Sequence, residues 1–209
     1  MSQEILSTQV KGRIVAYDLP CGKRIAFTEN GEESPQEKKT KREAQRKVEA
    51  SRVASTNLLY SLGLGCTQSV ILCPSRTTKE QIDQVIGKVR QLYEKTNGEL
   101  VNELGLREIG DPDIRTIPIV ETQFVTLKDL TEKRLSESLD AAISEMAKAV
   151  KTLSALGPDD KQKRNAYLKQ REKKIQKTQE LAKSLSIDLD EKFGLLGELL
   201  KTAIRKTEV

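Results

Sequence analysis

Apolar positions along this chain follow two periods, and the change from one to the other divides it. Val10 to Tyr17 and Lys23 to Thr28 are short runs rich in β-branched and aromatic residues, separated by Leu19-Pro20-Cys21-Gly22. That pattern predicts a β-hairpin turning at the proline and glycine. From Glu37 to Leu62 the spacing lengthens to threes and fours: Ala44, Val48, Ser51, Ser55, Leu58 and Leu62 line one side of a predicted helix. Gly63 and Gly65 supply stop signals for it. Ser69 to Cys73, closed by Pro74, is read as a buried strand. In Thr77-Thr78-Lys79-Glu80 the Thr77 hydroxyl and Glu80 carboxylate form a predicted capping box. The helix it starts carries Ile82, Val85, Ile86, Val89, Leu92 and Tyr93 on its core side, and runs to Leu104 or breaks at Asn97-Gly98. Asp111-Pro112-Asp113 then turns into a strand over Ile117 to Val125, with Pro118 marking an edge or a strand beginning.

Beyond Thr126 the strand period disappears. Leu135, Leu139, Ala142, Ile143, Met146, Val150 and Leu153 form one helical stripe, interrupted by Leu156-Gly157-Pro158-Asp159 before a second long helix. Ser186 to Asp190 offers a further cap, and Leu189, Phe193, Leu196, Leu199, Leu200, Ala203 and Ile204 mark a terminal helix. The expected fold is therefore α+β. A small mixed β-sheet covered by amphipathic helices, in the order β-β-α-β-α-β, occupies residues 1–125. An all-helical region with a long antiparallel hairpin occupies residues 126–209.

Charge adds what periodicity does not. Lys38 to Arg52 holds seven basic and two acidic residues, and Lys161 to Lys177 holds eight basic and one acidic. Their net charges of +5 and +7 stand against +5 for all 209 residues, so the remainder of the chain is −7. Cations sorted in this way are the electrostatic footprint of a polyanion partner. In the first segment Lys38, Lys39, Arg42 and Arg46 lie opposite the apolar stripe, with Lys41, Lys47 and Arg52 nearby. In the second, Lys169, Lys173 and Lys177 form a ladder. A row of long cationic side chains can follow a phosphate backbone and release its condensed counterions.

Each segment also has an ordinary structural account. Glu43 and Glu49 stand at helical spacing from Lys39, Arg46, Lys47 and Arg52, so the first segment reads equally as a solvated, self-paired surface. The second can be neutralised by Asp129, Glu132, Glu137, Asp140 and Glu145 of the preceding helix. Tyr167 is the one aromatic residue in either segment, so stacking on single-stranded bases has little to draw on.

Catalytic patterns are weak. The chain has no His, which removes the commonest general base and metal ligand together. Pro112-Asp113 followed by Glu121-Thr122-Gln123 on the expected strand departs from the metal-dependent PD-(D/E)xK nuclease pattern, because Gln123 stands where the lysine belongs. Gly63-Leu64-Gly65 follows a helix and lacks the lysine of a phosphate-cradling loop. Asp188 and Asp190 read as helix-start residues. No cofactor is expected. Cys21, Cys66 and Cys73 are read as reduced thiols of a cytoplasmic protein, a Cys66–Cys73 bridge being the alternative. No apolar run approaches the ~20 residues of a membrane span, and the first residues lack a signal-peptide pattern. The expected function is non-enzymatic binding of nucleic acid, DNA or RNA, through largely sequence-independent phosphate contacts. The alternative is a structural protein that self-associates or docks a protein partner through residues 127–209.

Overall fold

The computed structural model describes residues 11–21, 25, 34–153 and 158–208. They divide into two compact units, Met1–Glu121 and Thr122–Val209. Within the first, the element order is β1 (Gly12–Asp18), α1 (Pro35–Leu59), β2 (Leu64–Gly65), β3 (Val70–Cys73), α2 (Lys79–Asn102) and β4 (Asp113–Ile119). The second holds α3 (Glu121–Thr152), whose first residue closes the first unit, α4 (Pro158–Ser184) and α5 (Asp190–Glu208). The fold is α+β with a helical C-terminal region.

The four strands lie in the order β2-β3-β1-β4. Where a mixed sheet was expected, every ladder among the described residues is antiparallel, with Val15 opposite both Ile71 and Thr116. Strand alternation sends Val15 and Tyr17 of β1, Ile71 and Cys73 of β3 and Ile114 of β4 into one core. The expected second strand of the hairpin, Lys23 to Thr28, lies outside the described residues apart from Ile25, which has no strand assignment. The glycine segment Gly63-Leu64-Gly65 contains the two-residue β2. Gly63 there is not a helix stop, since α1 ends at Leu59. A Cβ at Gly63 would fall 2.0 Å from the Leu72 carbonyl oxygen, so only glycine permits this approach of the backbone to β3.

α1 begins two residues earlier than its apolar period. Pro35 occupies the first turn, where its missing N–H costs nothing. The Glu37 N–H donates to Ser34 Oγ at 3.2 Å and the Ser34 N–H to Glu37 Oε2 at 2.7 Å. That capping box holds the Glu37 carboxyl below the usual carboxylate range, chiefly through the Ser34 backbone N–H. α2 is capped by Thr78 and Gln81, not by Thr77 and Glu80. Both registers satisfy the capping pattern, but the Thr77 hydroxyl is directed at the Leu62 carbonyl, 3.4 Å away. α2 passes through Asn97-Gly98 unbroken to Asn102. The Asn97 side chain instead receives the Ile109 N–H at 3.1 Å and donates to the Gly110 carbonyl at 3.4 Å, drawing the following segment back along the helix.

Ala44, Val48 and Leu59 of α1 join Ile82, Ile86, Val89, Tyr93 and Leu100 of α2 against the sheet. Each large apolar side chain buried there contributes about 1.5–3 kcal/mol before chain entropy is counted. Between the helices, Ser51 Oγ and Thr96 Oγ1 are 2.6 Å apart. Burial pushes the Tyr93 hydroxyl up to about 12, and it donates to the Pro20 carbonyl at 3.1 Å.

β4 runs from Asp113 and stops at Ile119, so the strand expected over Ile117 to Val125 ends early. It is an edge strand of the sheet among the described residues, a position that tolerates Pro118. Val120 to Val125, despite their valine, threonine and phenylalanine content, lead into and begin α3.

Cross-helix contacts fix the direction of the second unit. Arg171 of α4 meets Glu145 of α3 at 3.2 Å, while Asn165 and Lys169 of α4 meet Thr207 and Glu208 of α5, both at 2.9 Å. Lys192 of α5 reaches Ser136 and Asp140 of α3, and Lys206 donates to the Val150 carbonyl. α3 and α4 are thus antiparallel, and α5 returns alongside α3. Leu139, Met146, Leu168, Leu196 and Leu200 are among the side chains this bundle buries. Leu156 and Gly157 of the expected interruption lie outside the described residues. Ser186 closes α4 rather than opening α5: its φ is 55°, and the Ile187 N–H returns to the Ala182 carbonyl at 2.9 Å.

Candidate nucleic-acid interface

An α-helix advances 100° per residue, so the inward positions Ala44, Val48, Ser55 and Leu59 of α1 determine what faces out. Lys38, Lys39, Arg42 and Arg46 cluster on the opposite arc, and all four are exposed. With Pro35 and Glu43 they line a shallow surface groove. None of the four has an acidic partner within ion-pair distance among the described residues. Lys38, Arg42 and Arg46 make two like-charge i,i+4 steps, each costing an isolated helix about 0.2–0.5 kcal/mol. A bound polyanion would relieve that cost.

The other cations of the segment are used differently. Lys47, a half-buried residue on the flank that faces α2, donates to Glu99 Oε2 at 2.8 Å and to Glu103 Oε2 at 3.1 Å. Those bonds, Glu99's first, hold the Lys47 ammonium above its ordinary range and the Glu99 carboxyl below its own. Arg52 grips Glu49 with two parallel bonds of 2.9 and 2.8 Å, which raises the guanidinium and lowers the carboxyl. Lys41 is half-buried. Of the self-pairings the spacing offered to Glu43 and Glu49, Arg52–Glu49 is the one formed, and Lys39 and Arg46 are left to solvent.

The ladder on α4 is likewise divided. Lys169 is paired with Glu208, while Lys173 and Lys177 are exposed. The acidic helix expected to neutralise this segment contributes Glu145, which holds Arg171, whereas Asp140 is taken by Lys192 of α5. Lys163 and Lys174 are exposed on the same outward side and were missed by reading a strict i,i+4 ladder. Their angles from the buried Leu168 would have revealed them. The Arg164 guanidinium carbon stands 5.1 Å from the ring centroid of Tyr167, so this aromatic already carries a cation.

The nuclease-like residues do not converge on a site. Asp113 is paired with Arg115 at 2.9 Å, Glu121 opens α3 and pairs with Lys11 at 3.0 Å, and Gln123 is helical. No group of three or more Cys, Asp or Glu side chains is placed to hold a metal ion among the described residues. Cys21, Cys66 and Cys73 form no disulfide. Cys66 follows β2 while Cys73 ends β3, and the β2–β3 register sets them three positions out of step, about 10 Å along the strands and beyond disulfide reach. No described helix is long and apolar enough to cross a membrane. No known protein family, no curated protein and no solved structure matches the chain.

Proposed function

We propose that this protein binds nucleic acid, DNA or RNA, through largely sequence-independent phosphate contacts, as a non-enzymatic protein of the cytoplasm. One observation carries the reading. Lys38, Lys39, Arg42 and Arg46 stand unpaired along a single exposed groove of α1, while the neighbouring Lys47 and Arg52 are neutralised inside the chain. Lys173 and Lys177 of α4, with Lys163 and Lys174, form a secondary cationic surface. Long side chains without base-reading geometry favour phosphate over sequence. Anisotropy titrations with labelled nucleic acids of unrelated sequence, repeated at low and high salt, test it. Similar affinities that fall steeply with salt are expected, and affinity unchanged by salt overturns the reading.

Exposed Val125 and Leu130 on the first half of α3 favour a second reading, self-association through that helix. The other apolar stripes lend it little, because Leu139, Met146, Phe193, Leu196 and Leu200 are buried within the chain. Sedimentation of the Val125→Glu/Leu130→Glu double variant distinguishes the two: an oligomer that dissociates supports assembly through α3, and a monomer in both proteins removes it.

A further inference from the structure

The cationic groove of α1 does not end at Arg46. That residue also borders an open, nearly flat patch of the same helix, continued by Glu49, Ala50, Val53, Ala54 and Asn57, whose exposed surface is almost wholly apolar. Val53, 49% exposed, stands at its centre. The outward side of α1 is therefore one continuous surface, cationic at its first half and apolar at its second. Charge selects an anionic occupant, and the apolar half requires that occupant to offer apolar surface directly beside its charges.

Resting on the nucleic-acid reading above, we infer that the ligand of α1 is a double helix, with the cationic half on a phosphate ridge and the Arg46–Asn57 half in the adjoining groove. Length agrees with this. At 1.5 Å per residue the surface from Pro35 to Asn57 spans about 33 Å, close to one duplex turn. The stretch from Arg46 to Asn57 spans about 16 Å, enough to cross a major groove about 12 Å wide. Ala50 and Val53 then meet the sugars that wall the groove, a contact every sequence offers. A single strand fits less well, since no residue from Pro35 to Asn57 is aromatic and unstacked bases would find no platform.

The test uses the full chain, a labelled duplex of about two turns, and each of its strands alone. Wild type should bind the duplex more tightly than either strand. Ala50→Tyr leaves every charge in place but puts bulk on the groove side of an exposed position. It should weaken duplex binding about tenfold while single-strand binding holds or tightens on the added ring. Val53→Gln should weaken duplex binding in the same direction. Circular dichroism melts establish that both variants remain folded. Tighter binding of a single strand by wild type, or unchanged duplex affinity in both variants, overturns the inference. The Lys38→Gln/Lys39→Gln/Arg42→Gln/Arg46→Gln variant separates the two levels. If it binds both ligands more weakly while Ala50→Tyr and Val53→Gln weaken on neither, the groove contact fails and phosphate binding stands. If it binds both with wild-type affinity and salt dependence, phosphate binding by α1 fails as well.

Discussion

Removing the four outward cations of α1 should change how binding responds to salt more distinctively than it changes affinity at any one salt concentration. Each phosphate neutralised on a double-stranded ligand contributes about 0.9 to the slope of log affinity against log salt. Lys38, Lys39, Arg42 and Arg46, each on one phosphate, therefore contribute about 3.6. A fourfold rise in salt then weakens their share of binding by about two orders of magnitude. The quadruple glutamine variant should lose that part of the slope and retain what Lys163, Lys173, Lys174 and Lys177 supply.

The comparison that makes this specific is Lys47→Gln and Arg52→Gln. Both residues belong to the same basic segment, yet their charges are held by Glu99, Glu103 and Glu49. Their removal should leave the slope nearly unchanged. Anisotropy titrations with one duplex at several salt concentrations measure all three proteins. If the quadruple variant keeps the wild-type slope, or Lys47→Gln and Arg52→Gln lower it as much per charge, then α1's outward row is not the contact.

Three further outcomes follow from the structure. Because the folded Glu99 carboxyl lies below its unfolded value, the stability from its bond to Lys47 is present above the ordinary carboxylate range and lost as pH falls through the lowered value. Thermal melts should accordingly show Lys47→Gln less stable than wild type near neutral pH, with the difference closing in acid; a constant difference would contradict the pairing. Ellman's reagent should modify Cys21 in the native protein and reach the buried Cys66 and Cys73 only on unfolding, the Cys73 thiol being pushed up to about 12 by burial. Rapid native reaction of all three would refute that burial. Gly63→Ala, whose Cβ would meet the Leu72 carbonyl at 2.0 Å, should destabilise the first unit toward the upper end of the roughly 1–3 kcal/mol typical of overpacking, read by urea titration.

Periodicity located the elements that bury a continuous stripe, because burial and period have one cause. Val48, Ile82, Val89 and Tyr93 are inside where their spacing put them, as are Phe193, Leu196, Leu200 and Ala203. The misplaced boundaries were decided by local chemistry that occurs twice in succession. Thr77 and Thr78 each stand three residues before a side chain able to complete a capping box, and only the fold commits Thr77 toward Leu62. Glu121 to Val125 has strand-like composition, but β4's ladder with β1 is exhausted at Ile119, opposite Gly12, and no strand partner remains for those residues among the described elements. The two-residue β2 is too short to carry any period.

The candidate site was legible in outline and indistinct in membership, for a related reason. Helical spacing offered Lys47 a partner on its own helix in Glu43, four residues before it, yet the ammonium crosses to Glu99 and Glu103 on α2. That choice follows from which side of α1 packs on α2, a tertiary fact. Rotation by one residue about the helix axis would turn Lys47 about 100° toward solvent and bring part of the outward row toward the core. The apolar positions Ala44, Val48 and Leu59 prevent such a rotation, because their burial fixes the docking angle of α1. The cations available to a phosphate backbone are thus selected by hydrophobic packing: the core residues of α1 determine which positive charges face the acids of α2 and which face solvent.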